Sequence, residues 1–268
     1  MESYVIRGGR EGYDRLKVLA RSWAASTSGL LDRIGVGAGD VALDLGCGPG
    51  DVTQEIARRV GTGGRVVGVD MDEVKLDLAR REAFKAGLTN IEFQRLSAYE
   101  WSEPDTYDLV YCRNFLQHLS RPVDVLRAMW AGLRPGGALV VEDVEFSAAF
   151  CDPPDRWHQF WLDTYQAVLR SHGGDPATGR QLHRLFVDAG VAAPLSVTLS
   201  QRADLTDEYK HMPSLTVAAT AAAIVADGLA TPETVAEAVA RLAEYADDPH
   251  TMIGSPRMFQ VWARKPVT

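Results

Sequence analysis

The sequence predicts a single α/β domain around a mostly parallel seven-stranded sheet, with helices on both faces and helical additions at two places. Three observations predict this class. An apolar run, 41–45, leads through a turn with glycine at every other position into a stretch with helical spacing, 51–60. A second apolar run, 65–70, follows and ends in an acid. Strand-like and helix-like runs then alternate to about residue 145, an order typical of parallel sheets.

The chain length limits the number of domains. Its 268 residues suffice for one ordinary domain with additions, or at most for two small ones. We predict an N-terminal helical arm over residues 1–35 and a core formed by residues 36–204 and 251–268. A helical insertion, 205–250, precedes the last strand. It is too long for a plain turn, so it predicts either a lid over the active site or a contact between subunits.

Composition argues against several classes of partner. The net charge is −8 at pH 7, and no long basic run is present, which argues against nucleic acid and anionic membrane surfaces. No apolar run reaches membrane-spanning length and no charged-then-apolar leader is visible, so we expect a soluble, cytoplasmic protein. Homo-oligomer formation stays open. The three cysteines, Cys47, Cys112 and Cys151, match no metal-ligand spacing, and we predict no metal site.

Most of the arm, after its first ten residues, has a helical pattern. Apolar residues recur at helical spacing from about residue 11 to residue 33, and a cluster of Ser, Thr and Gly at 26–29 predicts a break in that helix. A loop, 36–40, then leads into the first strand. The arm therefore predicts two short helices before the sheet begins.

The glycine-rich turn is the candidate ligand site. Gly46, Gly48 and Gly50 allow a tight turn and a close approach of the backbone to a ligand, and the helix that follows offers free N–H groups at its N-terminus. Asp70, at the end of the second strand, can accept hydrogen bonds from both hydroxyls of a ribose. The glycines lack the G-x-G-x-x-G spacing of a dinucleotide site.

Asp44 to Gly50 reproduces D-x-G-C-G-x-G, and the chain here resembles the class I S-adenosylmethionine-dependent methyltransferases. The resemblance covers about residues 36–145 and includes the Leu-Arg-Pro-Gly-Gly turn before strand five. It implies a Rossmann-like fold and S-adenosylmethionine as cofactor. By this resemblance the methionine end of the cofactor lies near Asp44 and the turn, and Asp70 holds its ribose. The cofactor-binding residues that follow are Asp44, Gly46, Cys47, Gly48, Gly50, Asp70, Met71, Ser97, Ala98, Cys112 and Arg113.

Two of these residues carry specific expectations. Met71 is expected on the adenine face, and Ser97 stands where the family often has an acid for the adenine amino group, so a hydroxyl or backbone groups would serve instead. The arm commonly folds over cofactor and substrate in such proteins. Tyr4 and Arg15 are therefore candidates to meet the cofactor carboxylate or the substrate, although the arm could equally be a packing extension.

The remaining elements follow from apolar alternation, helical spacing, and Gly or Pro at their ends. Predicted strands are 91–96, 107–112, 138–143, 195–200 and 258–263; predicted helices are 73–86, 123–133, 155–171 and 178–189, with two more in the insertion at 207–228 and 232–246. Helix 155–171 carries aromatic residues at helical spacing, which form either a core stripe or a substrate wall. The predicted substrate-binding residues are Asn114, Trp157, Trp161 and Tyr165.

His118 is the first candidate general base. Ligands bind beyond the carboxyl ends of the strands in open α/β sheets, and residues 113–118 come directly after strand four. An imidazole accepts a proton near neutral pH, although a lone histidine is more often structural. Tyr4 is the second catalytic candidate, His158, His172, His183 and His211 are alternatives, and a site without a base is also open.

These observations predict methylation of a small organic acceptor, and analogy with similar chains favours an aromatic secondary metabolite. Whether oxygen, nitrogen or carbon is methylated stays open. One alternative is a protein that binds the cofactor without transferring methyl. A nicotinamide-dependent oxidoreductase is a second alternative, against which the glycine spacing argues.

Overall fold

A computed structural model describes residues 10–206 and 208–267 of the chain. Strands and helices are numbered separately in chain order. The strands are β1 Val41–Leu45, β2 Arg65–Asp70, β3 Ile91–Arg95, β4 Tyr107–Arg113, β5 Leu133–Glu145, β6 Phe150–Asp152, β7 Ser196–Ser200, β8 Ala203–Asp204, β9 Met252–Gly254 and β10 Arg257–Arg264. The α-helices are α1 Arg10–Ile34, α2 Asp51–Val60, α3 Glu73–Lys85, α4 Pro122–Gly132, α5 Arg156–Ser171, α6 Thr178–Asp188, α7 Met212–Ala226 and α8 Pro232–Asp247.

Seven strands form the central sheet, in the order β3-β2-β1-β4-β5-β10-β7. Pairs from β3 to β5 are parallel, and β10 runs antiparallel to both β5 and β7. Strand β1 lies between β2 and β4, so the loops that follow these three strands meet at one edge of the sheet. The predicted fold class, a mostly parallel seven-stranded α/β sheet, is confirmed.

Helices cover both faces of the sheet because each strand alternates apolar side chains between two cores. On one face, Val125 of α4 and Leu182 of α6 pack against Leu43 and Val110. On the other face, Leu31 of α1 and Ile56 of α2 pack against residues that include Ala42. Helices α5, α7 and α8 form a third apolar cluster beside the sheet.

The predicted break in the N-terminal helix is wrong, because α1 continues through residues 26–29. The polar side chains of this stretch make tertiary hydrogen bonds and do not cap helix ends. Thr27 donates to Glu142 of β5 over 2.9 Å, and Ser28 accepts from Arg59 of α2 over 2.7 Å. These bonds hold the middle of α1 against the sheet.

Two further differences concern strands. Strand β5 extends beyond the predicted 138–143, because its end pairs with β10 as far as Glu145 and Leu133 pairs with Tyr107 before the glycine turn. A small sheet in the order β6-β9-β8 was not predicted. Its strands have two or three residues, too few to give a recognisable alternation. Within the described residues, no helix is long and apolar enough to cross a membrane.

Candidate active site

A deep cavity opens at the edge of the sheet where β1, β2 and β4 end. Its empty volume, including the open mouth, is about 1730 Å³. The glycine-rich turn and the loops after β2, β3 and β4 form one side, and α1, α5 and the segment that begins α7 form the other. The predicted site residues in its wall are Asp44, Gly46, Cys47, Gly48, Asp70, Met71, Ser97, Ala98, Arg113, Asn114, His118, Trp161 and Tyr165.

The turn after β1 requires glycine for two different reasons. Gly46 and Gly48 have φ of +75° and +53°, a conformation that L side chains rarely adopt. A Cβ on Gly46 would also lie 2.4 Å from Cδ2 of Phe115, whereas one on Gly48 would meet no atom within 4 Å. Gly50 is the N-cap residue of α2 and has no side chain that could accept from the first N–H groups of that helix.

Asp70 stabilises the turn by accepting hydrogen bonds from the backbone. Its Oδ2 accepts a hydrogen bond from the Gly48 N–H over 2.9 Å, and its Oδ1 accepts one from the Asp72 N–H over 2.9 Å. Both oxygens keep further acceptor capacity, because a carboxylate has about four lone-pair sites. The side chain is partly exposed at the cavity wall.

Asp44 is buried at the end of β1, with 3% of its surface exposed. Burial raises the pKa of its carboxyl to about 6, against the lowering effects of a hydrogen bond from Thr53 and of the charge on Arg113. The Thr53 hydroxyl donates to Oδ2 over 2.6 Å. A cationic ligand beside Asp44 would favour the ionised form and lower this pKa again.

Arg113 connects the site to a buried network behind it. Its guanidinium donates to Thr27 Oγ1 over 3.0 Å. Thr27, Tyr111 and Gln260 all donate to Glu142, which is completely buried, over 2.9, 2.5 and 2.7 Å. Three donors on one carboxylate lock α1, β4 and β10 together behind the cavity.

The loop after β4 is held by Asp143, which is also completely buried. Its Oδ2 accepts from the Gln117 N–H over 3.0 Å, and burial raises its pKa to about 7 despite backbone hydrogen bonds that lower it. Asn114 begins the loop with φ of +50° and donates its N–H to the Glu142 carbonyl over 2.8 Å. This loop places Asn114 and His118 in the cavity wall.

His118 has a weakly basic ring in this position. Burial lowers its pKa to about 3, with further lowering by the nearby positive charges of Arg15 and Lys75. A ring with this pKa is neutral at pH 7 and can accept a hydrogen bond, but it is a poor general base near neutrality. The sequence could not give this result, because both cations are distant from His118 in the chain.

Three predicted site residues, Cys112, Gly50 and Trp157, do not line the cavity, and their contact with a ligand stays a prediction. Cys112 points into the hydrophobic core because successive strand residues face opposite sides. Gly50 packs against Ala79 and Phe93. Trp157 makes an edge-to-face contact with Phe160 of its own helix, with ring centroids 5.7 Å apart. Tyr4 lies outside the described residues.

The structure adds wall residues that sequence patterns did not identify: Trp23, Lys75, Phe115, Phe146, Tyr209, Met212 and Thr216. Those from the segment 209–216 belong to the predicted insertion, whose length was the available signal. Of the alternative bases, His172 lines the cavity, while His158, His183 and His211 are not in its described wall. Among the described residues no cluster of His, Cys, Asp or Glu could hold a metal ion.

Comparisons with known proteins indicate a methyltransferase domain. A family described as "Methyltransferase domain" matches residues 37–190. An uncharacterized 37.1 kDa protein in transposon Tn4556 of Streptomyces fradiae is 33% identical over 176 residues, which cover 64% of this chain and 49% of that protein. A ubiquinone biosynthesis O-methyltransferase of Aeromonas salmonicida is 36% identical over 117 residues, covering 43% of this chain and 48% of that enzyme.

A solved structure shows the same fold. It is phosphoethanolamine N-methyltransferase 2 of Haemonchus contortus, in complex with phosphomonomethylethanolamine and S-adenosylhomocysteine. It superposes with a TM-score of 0.59 at 17% identity, over 96% of this chain and 59% of that chain. At this identity the likeness concerns the fold alone. The chain spans about half the length of the curated relatives it matches.

Proposed function

Because the chain belongs to the class I S-adenosylmethionine-dependent methyltransferase family, we propose that it methylates a small organic acceptor. The observation that carries this proposal is the joint placement of Asp44, Asp70 and the glycine-rich turn in the wall of one deep cavity. A secondary metabolite as acceptor and a cytoplasmic location are part of the proposal. The aromatic side chains in the cavity wall, Trp23, Phe146 and Trp161 among them, support an acceptor with an apolar body.

The residues at the sheet edge fit the cofactor. The uncapped start of α2 and the positive φ of Gly46 and Gly48 leave the backbone open to a ligand. Asp70 would accept the ribose hydroxyls, and the buried carboxyl of Asp44 would stabilise the ammonium group of the methionine end. When bound, S-adenosylmethionine supplies a methyl group on a sulfonium ion, which an acceptor nucleophile displaces.

The chain's own contribution would then be alignment and exclusion of water. Holding reactants in line can account for about 7–11 kcal/mol of a barrier. Trp23, Phe146 and Trp161 are almost completely buried and still line the cavity, so they shield it from bulk solvent. Residues 209–216 close the same side, which supports a lid as the role of the insertion.

The pH dependence of cofactor binding tests the role of Asp44. Its folded pKa of about 6 lies above the model-peptide value, so the free protein holds a proton there at lower pH, and a cationic ligand must expel that proton. We expect the affinity for S-adenosylhomocysteine to be constant above pH 6 and to fall below it, by up to about tenfold per pH unit. Calorimetry at pH 5.0 and 7.5, in buffers with different ionisation enthalpies, measures both the affinity and the proton release.

Asp44→Asn serves as the control for this measurement. The variant should bind S-adenosylhomocysteine more weakly than the wild type at pH 7.5. Its affinity should not show the fall at low pH that protonation of Asp44 causes in the wild type. Equal wild-type affinity at both pH values would contradict the proposed contact between Asp44 and the ligand's ammonium group.

The role of His118 can be separated into orientation and proton removal. With a pKa of about 3, we propose that the ring orients the acceptor by accepting a hydrogen bond. Gln can also accept one but cannot titrate. His118→Gln should therefore keep turnover within about tenfold of the wild type, whereas loss of a general base would cost about 10²–10⁴-fold. Single-turnover rates of both variants, His118→Gln and His118→Ala, make the comparison.

Methyl transfer itself is tested by mass spectrometry. The protein is incubated with S-adenosylmethionine and a panel of phenols, amines and acidic C–H compounds, and S-adenosylhomocysteine is measured with the methylated product. Oxygen acceptors come first, because curated relatives are named O-methyltransferases. Bound cofactor with no turnover on any acceptor would instead favour the non-methylating alternative.

A further inference from the structure

Arg15 is a buried cation in the cavity wall. Only 7% of its surface is exposed. Its Nε donates to Thr216 Oγ1 over 3.0 Å, and that hydroxyl donates in turn to the Met212 carbonyl over 2.7 Å. Within residues 10–206 and 208–267, no carboxylate lies at ion-pair distance from Arg15, and no group accepts a hydrogen bond from its two terminal nitrogens. A buried charge without a counter-charge is costly.

The surroundings compensate Arg15 only in part. Its guanidinium carbon lies 6.0 Å from the ring centroid of Tyr165, the outer limit for a cation–π contact. Its positive charge also lowers the pKa of His118 and works against the burial that raises the pKa of Tyr209. His118 and Tyr209 line the same cavity as Arg15. This part of the wall is therefore electropositive and has no acid to neutralise it among the described residues at ion-pair distance.

A second cation lines the cavity beside the glycine-rich turn. Arg113 bonds Thr27, and its charge acts on Asp44, beside the turn. Thr27 and Arg15 are both on α1, separated by twelve residues, or about 18 Å along the helix axis. Arg113 is thus placed for the methionine end of the cofactor. Arg15 faces the lid segment and is placed for a different molecule.

Aromatic side chains line the cavity near Arg15. Phe146 lies with its ring centroid 5.1 Å from that of Tyr165 and 6.3 Å from that of Trp161, and all three line the cavity. Such a wall binds a flat apolar body. A guanidinium beside it offers a planar pair of donors, the geometry that matches a carboxylate.

We propose that Arg15 binds a carboxylate of the methyl acceptor, and that the acceptor is an aromatic acid. This inference rests on the proposed methyl transfer, since it assigns the acceptor end of the same cavity. The carboxylate lies at Arg15, the ring lies against Phe146 and Trp161, and the reacting group extends toward His118. Arg15 is then a specificity residue that makes no contact with the transferred methyl group.

The test uses matched pairs of probes on the full chain saturated with S-adenosylhomocysteine. The acids are 4-hydroxybenzoate, 4-hydroxycinnamate and 1-hydroxy-2-naphthoate, and each is compared with its uncharged amide. Binding is followed by quenching of tryptophan fluorescence, with calorimetry for the tightest pair. The variants are Arg15→Gln, Arg15→Lys and, as a control, Arg21→Gln, an exposed arginine of the same helix that pairs with Glu208.

We expect at least one acid to bind the wild type and Arg21→Gln about tenfold or more tightly than its amide, because a charge-assisted pair is lost with the amide. Arg15→Gln should abolish the preference, and Arg15→Lys should keep part of it. Affinity for S-adenosylhomocysteine should stay within about threefold of wild type in Arg15→Gln.

Three results would overturn the inference. They are no acid preference in the wild type for any pair, an unchanged preference in Arg15→Gln, or a loss of about tenfold or more in S-adenosylhomocysteine affinity in that variant. The last would assign Arg15 to the carboxylate of the cofactor. The comparison of each acid with its amide on the wild-type chain can overturn the inference even if a variant does not fold. A wild-type chain that fails to bind S-adenosylhomocysteine would instead contradict the proposed function.

Discussion

Changing Asp70 to alanine is expected to weaken S-adenosylhomocysteine binding by about a hundredfold to a thousandfold. Hydrogen bonds to a charged group contribute about 1.5–3 kcal/mol each. Two ribose hydroxyls would lose their acceptor, a total of about 3–6 kcal/mol, and the lower part of this range corresponds to the expected loss of affinity. The variant also removes the acceptor of the Gly48 N–H, so the turn itself loosens. Asp70 therefore affects the cofactor both directly and through the backbone that surrounds it.

Calorimetry measures this effect, and Asp77→Ala is the matched control. Asp77 is an exposed acid of α3 that pairs with Arg80 on the surface, so the same charge is removed far from the turn. We expect wild-type affinity in the control. An affinity for Asp70→Ala within threefold of wild type would remove the ribose role.

Changing Gly46 to alanine is expected to destabilise the fold by about 2–5 kcal/mol and to abolish cofactor binding. The positive φ of +75° costs about 1–2 kcal/mol for a residue with a Cβ, and overpacking adds about 1–3 kcal/mol. The new Cβ would lie 2.4 Å from Cδ2 and 2.6 Å from Cγ of Phe115. Phe115 lines the cavity, so the ring can yield only by moving into the space of the ligand.

Thermal unfolding and calorimetry of Gly46→Ala are compared with Gly87→Ala. Gly87 also has positive φ, +67°, but a Cβ there would meet nothing within 4 Å. The control therefore isolates the conformational cost, about 1–2 kcal/mol, and should leave cofactor affinity unchanged. Equal stability of the two variants, with binding retained in Gly46→Ala, would show that the contact with Phe115 is unimportant.

The sequence predicted the sheet because its strands are long, apolar and separated by Gly- or Pro-containing turns. The same reasoning missed β8, which has only two residues. It placed a break in α1 because Ser, Thr and Gly at 26–29 favour helix ends. In the structure, the Thr27 hydroxyl is used by Glu142, 115 residues away in sequence, and no local pattern contains that information.

Some site residues follow from a local sequence motif, whereas the properties of others depend on the fold. Asp44, Gly46, Gly48 and Asp70 were found because one local motif and one strand end carry them. The sequence predicted cofactor contacts for both Cys112 and Arg113, whereas in the structure Cys112 packs in the core and Arg113 lines the cavity. The lowered pKa of His118 comes first from burial and then from the charges of Arg15 and Lys75, which approach it only after folding. Burial and distant charges are properties of the fold, and the sequence could not supply them.

The central claim is that the cavity at the ends of β1, β2 and β4 binds the S-adenosyl cofactor. Calorimetric titration of the wild-type chain with S-adenosylhomocysteine, in parallel with NAD and NADP, tests it most directly. We expect one saturable site per chain for S-adenosylhomocysteine and no heat of binding for either dinucleotide. A chain that binds a dinucleotide there, or that leaves S-adenosylhomocysteine unbound, would contradict it.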